Sequence, residues 1–399
     1  MRKIIVEALM FSAYALFAAS WVAGAILTPE IQQSFAQEGL ANASWGSNAI
    51  TLAKILGNLA AAMVLVKLGI RYAFTTAILL IAAGGLGAFA DSYNGWLLSR
   101  LALGLGGALA IVYFNPVVLH YFRPSERPVV NGINAAAFNT GNLLALLTTS
   151  ILLPWLGSWE NLILLYGAMV ASLALLWWLC AESIPLAGNS ADSVQTRPYR
   201  LREGLTDPFN WWLPLAYCGV LFCYIAVFAL FPLLDTFAVQ STHLSAVMIA
   251  TGMVGTVAGI VTTKRLPMRL PVIRASGAAL TLSATAMIVT SSPTIAYSAA
   301  AMAGFFMFLP MTALVTLPQE LPGMTPARIT VIFGMFWSIA YGIETLLMWG
   351  ATTIADVSGI AASAAWIAVV CSASLFAVSF KLPETRTAAN TERSVNANT

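Results

Sequence analysis

Three charged side chains sit where a hydrophobic chain has least use for charge. Lys54, Arg100 and Glu344 each lie inside an apolar run long enough to cross a lipid bilayer. A charge near mid-bilayer costs about 2.5–3.5 kcal/mol on insertion scales, so it persists where it faces a cavity or a partner. Two cations against one carboxylate leave a positive balance, and the simplest solute to complement it is an anion. Arg100 would grip an oxyanion or carboxylate as a planar fork, and Lys54 would meet it as a point charge, with Asn58 one turn along the same helical face. Glu344 supplies a carboxyl group that could carry a proton in a low-dielectric setting. Glu30 and Asp235, near the outer ends of the first and seventh apolar runs, are two further acids for that role, with solvated caps as the plainer reading. Both cations also have a structural reading. From about 7–12 Å below the outer face a long side chain can snorkel to the interface, and Arg100 can pin a neighbouring carbonyl.

Polar and aromatic residues gather around these charges in the pattern. Phe333, Trp337, Tyr341 and Glu344 fall at i, i+4, i+8 and i+11, one face of one helix. Tyr14 and Trp21 in the first run, and Tyr217 and Tyr224 in the seventh, are each seven apart and could wall a pocket. Asn134, with Asn131, Asn139 and Asn142, supplies hydrogen bonds in the fifth. The expected substrate-binding set is Arg100, Lys54, Asn58, Tyr14, Trp21, Asn134, Tyr217, Tyr224, Trp337 and Tyr341, with Glu344, Glu30 and Asp235 for protons. For every aromatic stripe, ordinary packing is the alternative.

The elements that must position these residues are membrane helices. The 399 residues are 59% hydrophobic and 9% charged, with a mean hydropathy of +0.82, whereas a soluble domain carries about a quarter charged residues. Apolar windows occur near 9–31, 46–66, 73–91, 95–119, 129–153 and 160–181, then near 210–234, 244–263, 271–291, 294–317, 327–350 and 358–380. They predict an all-α protein of twelve transmembrane helices, six and six. The longest polar stretch divides them, giving bundles at 1–183 and 209–383, a cytoplasmic linker at 184–208 and a disordered tail at 384–399. The first run reads as an uncleaved helix, because it continues far enough to span.

With the N-terminus inside, 17 of the 19 Lys and Arg fall in cytoplasmic segments and none in an outer loop. Lys54 and Arg100 are the two that orientation does not explain. The expected location is the inner membrane with both termini cytoplasmic. The four cysteines are scattered in apolar segments without metal-ligand spacing. No cofactor is expected, and a net charge of +3 gives no reason to expect nucleic acid. There is no HExxH, GxSxG or Walker pattern, and His120 and His243 fall at opposite faces, which argues against an enzyme or an ATP-driven pump.

Four local motifs add to this architecture. Arg100 is followed by Gly104, Gly106 and Gly107; the loop Tyr121-Phe122-Arg123-Pro124-Ser125-Glu126-Arg127 leads to Asn131-Gly132; Lys67, Gly69 and Arg71 follow the second run; and Leu317-Pro318-Gln319-Glu320-Leu321-Pro322 precedes Arg328. Together they resemble the major facilitator superfamily over nearly the whole chain. The resemblance implies two pseudo-symmetric six-helix bundles rocking about a central site by alternating access, usually as a monomer. The glycine-proline pattern of that family's antiporters is absent from the fifth helix, where Asn134, Phe138, Asn139, Gly141 and Asn142 stand. The expected function is therefore secondary active transport of a small anion, an organic carboxylate or an inorganic oxyanion such as cyanate or nitrate, by proton symport. Proton-driven export of an amphipathic metabolite, siderophore or drug is the alternative.

Overall fold

The computed structural model describes residues 2–122, 127–181, 201–321 and 326–385. The predicted linker up to residue 200, the tail from 386, and the loop residues 123–126 and 322–325 lie outside the described residues. Every span is helical, as lipid requires of a backbone that has no water to bond. Eleven helices among the described residues are long and apolar enough to cross a membrane. The remaining crossing is contained in the helix Leu40–Ala83, whose 44 residues would extend about 66 Å, twice a bilayer core. Gly69 breaks it with non-helical angles (φ 69°, ψ 164°), a left-handed φ that glycine adopts without cost, which divides it into two spans.

In chain order the spans are α1 (Arg2–Ile26), α2 (40–68), α3 (70–83, continued by a 3-10 turn), α4 (Tyr93–Tyr121), α5 (Arg127–Leu156), α6 (Trp159–Cys180) and α7 (Phe209–Ala229). They continue with α8 (Ser241–Arg265), α9 (Leu270–Val289), α10 (293–319), α11 (Pro326–Ser358) and α12 (362–378). Pro310, which cannot donate a helical hydrogen bond, separates the two halves of α10. The face whose loops hold no Lys or Arg is the one that the distribution of basic residues predicts to be outer.

Two compact units result. The first takes in residues 1–195 together with 228–233 and 348–359; the second holds 196–227, 234–347 and 360–399. The outer ends of α7 and α11 thus belong to the first unit, a division that the chain order does not show. In the first unit α4 lies along α1, α2 and α3, and its glycines make this possible. A Cβ on Gly104 would stand 2.5 Å from the Ile50 carbonyl, and one on Gly106 2.6 Å from that of Ala77. The motif glycines thus serve close helix packing. In the second unit Arg269, 3% exposed, pairs with Glu320 at 2.6 Å and also donates to the carbonyls of Thr263 and Leu266.

Several helices run past their predicted limits. α1 begins at Arg2, α2 at Leu40, and α11 continues to Ser358. The chain is also folded beyond the predicted end of the second bundle. Glu384 accepts hydrogen bonds from the backbone N–H of Arg269 and Leu270 at the start of α9, and the Thr385 hydroxyl donates to Glu320. Those two residues belong to the fold and not to a disordered tail.

Candidate functional site

In the first unit the lysine lies deeper than its sequence position suggested. Because α2 starts at Leu40, Lys54 is fourteen residues in, about 21 Å from the outer end. It is 3% exposed, and its ammonium is held among three rings, 5.3 Å from the centroid of Trp21, 5.5 Å from Phe138 and 5.7 Å from Phe17. A cation over the negative faces of aromatic rings is stabilised by their quadrupoles, about 2 kcal/mol or more where water is excluded. Phe17 and Trp21 are one turn apart on α1, and Phe138 comes from α5. Trp21 and Phe138 also meet Phe228 at the outer end of α7, at 5.2 and 6.2 Å between centroids. Tyr14 continues the wall inward, against Phe17 at 5.4 Å and Phe138 at 5.7 Å. Asn58, one turn below Lys54, is partly buried.

Arg100 is 1% exposed, and its guanidinium donates to backbone carbonyls: Nη1 to Ser20 at 3.0 Å, Nη2 to Trp21 at 2.9 Å and Nε to Gly46 at 3.3 Å. Its flat face lies over Trp96 at 5.0 Å. Gly24 leaves the space, since a Cβ there would stand 2.7 Å from Nη1. One side chain of α4 thus ties α1 to α2. One of the three carbonyls it holds is that of Trp21, whose indole N–H donates to Ser47 of α2 at 3.1 Å. The ring over Lys54 is fixed at both ends, so Arg100 acts on the lysine's surroundings through Trp21.

Sequence reading passed over one buried acid. Glu7 precedes the first apolar window, but α1 starts before it and leaves it 8% exposed, with both carboxylate oxygens shielded from solvent. It faces Asn134 of α5, itself 5% exposed. Glu344 is therefore not the one deep carboxylate. The available signal was a helix extended by one further turn toward Lys3, which would have placed Glu7 below the interface.

The second unit gathers the other predicted residues. Tyr217 stacks on Phe336 at 5.2 Å and meets Trp337 edge-on at 5.8 Å, and Trp337 stacks on Tyr341 at 5.9 Å. Tyr224 meets Phe308 of α10. Glu344 follows on the same helix, fully buried eighteen residues from Pro326. Glu30 is half-buried in a short helix beyond α1, and Asp235 is exposed. The first unit thus carries an aromatic group packed around a buried lysine, and the second an aromatic group followed along the same helix by a buried glutamate.

The family model described as Major Facilitator Superfamily matches residues 9–345. The solved structures that the chain resembles include a bacterial homolog of the human lysosomal transporter Spinster, inward-facing and unoccupied, at 18% identity and a TM-score of 0.74, covering 96% of this chain and 98% of that one. A D-xylose–proton symporter follows at 14% and 0.69, covering 95% and 97%, and the E. coli fucose:proton symporter at 17% and 0.63, covering 96% and 99%. By sequence, the uncharacterized protein Cj0987c of Campylobacter jejuni is 28% identical over 239 residues, 60% of this chain and 72% of that protein. With a family model across most of its length and that family's all-helical membrane fold, the chain belongs to the Major Facilitator Superfamily and is a membrane transporter, not an enzyme.

Proposed function

We propose that this protein moves a small anion across the inner membrane together with a proton, by alternating access, as a monomer with both termini cytoplasmic. The observation that carries the reading is the Lys54 ammonium, deep in α2 among Phe17, Trp21 and Phe138. The rings hold the ammonium in place in a setting of low dielectric, where an incoming anion would gain more from its positive charge than it would in water. Arg100, already turned toward three carbonyls, is a positioning residue in this scheme. Tyr14, Asn58 and Asn134 in the first unit, and Tyr217, Tyr224, Trp337 and Tyr341 in the second, line the route. Glu344 is the main proton carrier; Glu7 joins it, and Glu30 and Asp235 take the proton near the outer face. The bundles are 1–183 and 209–385, joined by the linker 184–208. Two of the structures it resembles are described as proton symporters, which supports the coupling.

Binding tests the assignment directly. Purified protein is melted with a panel of carboxylates, nitrate, cyanate, neutral sugars and organic cations. Anions are expected to raise the melting temperature of the wild type and of K54R, and to leave K54A unmoved. A shift by anions that survives in K54A sinks the assignment. The stacked rings of Tyr217, Phe336, Trp337 and Tyr341 favour a second reading, export of an amphipathic compound by proton antiport. That reading expects bulky apolar compounds to give the larger shift.

A further inference from the structure

The start of α2 is a helix terminus without a cap of its own. The first four N–H groups of any helix lack intrahelical partners, and here the N-cap is Gly39, which has no side chain to offer. The missing acceptor arrives from more than 300 residues away. Asp356, in the last turn of α11, accepts the Leu40 N–H on Oδ1 at 2.7 Å and the Ala41 N–H on Oδ2 at 2.8 Å. The fit is close. Gly39 has φ +84°, and a Cβ there would stand 2.6 Å from Asp356 Oδ2, so only glycine allows both the turn and the approach. One turn deeper on each helix, the Thr352 hydroxyl donates to Ser44 at 3.2 Å, with both residues buried. The start of α2 is tied to its own unit by Gln32, which donates to the Gly39 carbonyl, and by Tyr93, which donates to that of Asn42.

We propose that Asp356 is the latch of the outer entrance: a carboxylate that clasps the outer end of α11 to the start of α2 and lets go in each transport cycle. The proposal rests on the transport reading. Helix α11 places 326–347 in the second unit and 348–358 in the first. A continuous helix cannot open the outer side while its end stays clasped to α2. Two charge-assisted hydrogen bonds to one helix terminus, aided by its partial positive charge, form and break as a pair. Such a contact gives a closed or an open state with little between.

The test reads exposure of Ser44, which the latch covers. S44C is placed in a chain whose four native cysteines are serine, the protein is reconstituted in proteoliposomes, and labelling by a membrane-impermeant maleimide at the outer face is timed. V357C, at a site 85% exposed beside the latch, controls for orientation and folding. Asparagine at 356 keeps the shape but offers one acceptor where two donors wait. D356N is expected to label S44C about tenfold faster, G39A to do the same by displacing the carboxylate, and the double variant to add nothing further. V357C labelling stays constant throughout. Unchanged S44C labelling in D356N or G39A, with V357C normal, overturns the latch. Because no substrate enters this measurement, faster labelling in a protein that binds no anion leaves the latch standing and removes only the anion reading.

Discussion

The Arg100 guanidinium donates to carbonyls on α1 and α2, while the Lys54 ammonium rests among rings, and these settings predict different losses. R100A leaves a void at the meeting point of three helices and is expected to cost about 2–3 kcal/mol, read as a lower melting temperature in detergent. R100K keeps the charge but cannot reach three acceptors, so it should behave much like R100A. If R100A melts like the wild type and loses only anion binding, Arg100 is a ligand instead. Glu7 predicts the reverse. A carboxylate shielded from water costs free energy that an isosteric amide does not, so E7Q should melt at the same temperature as the wild type or higher. A clear drop for E7Q would show that Glu7 holds the fold together. The sequence revealed that Arg100 and Lys54 needed explaining, because counting loop charges set them apart. It could not reveal which was structural, since the Arg100 partners lie 54 to 80 residues away and are backbone atoms without a residue signature.

Helices in lipid gain little from burying apolar surface, so close approach of backbones decides much of their packing. Gly141 of α5 touches the Ala15 carbonyl of α1, leaving no room for a methyl group, and G141A is expected to destabilise by about 1–3 kcal/mol. Gly334 of α11 has nothing within 4 Å of where a Cβ would stand, and G334A should be neutral or gain about 0.5–1 kcal/mol of helix propensity. Equal melting temperatures for the two would contradict this account of the packing. At the inner end of the second unit, burial works to raise the Glu320 carboxyl. The hydrogen bonds from Arg269 and Thr385 and the Arg269 charge outweigh it and hold the carboxyl below the ordinary glutamate value. A pKa lower in the folded than in the unfolded state stabilises above the unfolded value of about 4.3, and that contribution is lost as pH falls through the folded value. Acid melting of the wild type should therefore steepen below about pH 4.3, and E320Q should be flatter there; identical curves would assign the ion pair no role in stability. Helix existence was legible from apolar windows, but helix ends were not. α11 continues through polar Asp356 because that side chain finds its partners on α2, a tertiary fact.

At the scale of the molecule, the paired sets of six spans could be read from the chain because lipid imposes helices and basic residues mark one face. The division into units could not be read in full, because the outer ends of α7 and α11 belong with the first unit, away from the helices that carry them. The substrate's sign is the least legible feature, since it depends on how the surroundings of Lys54 are arranged and not on a count of charges. The most direct test is uptake into proteoliposomes under an imposed inward proton gradient, comparing small carboxylates and oxyanions with neutral sugars and organic cations. Gradient-driven accumulation of an anion, abolished in K54A and reduced in E344Q to uptake that no longer follows the gradient, is the predicted result. Accumulation of a neutral or cationic solute instead, or anion uptake that K54A leaves intact, would contradict it.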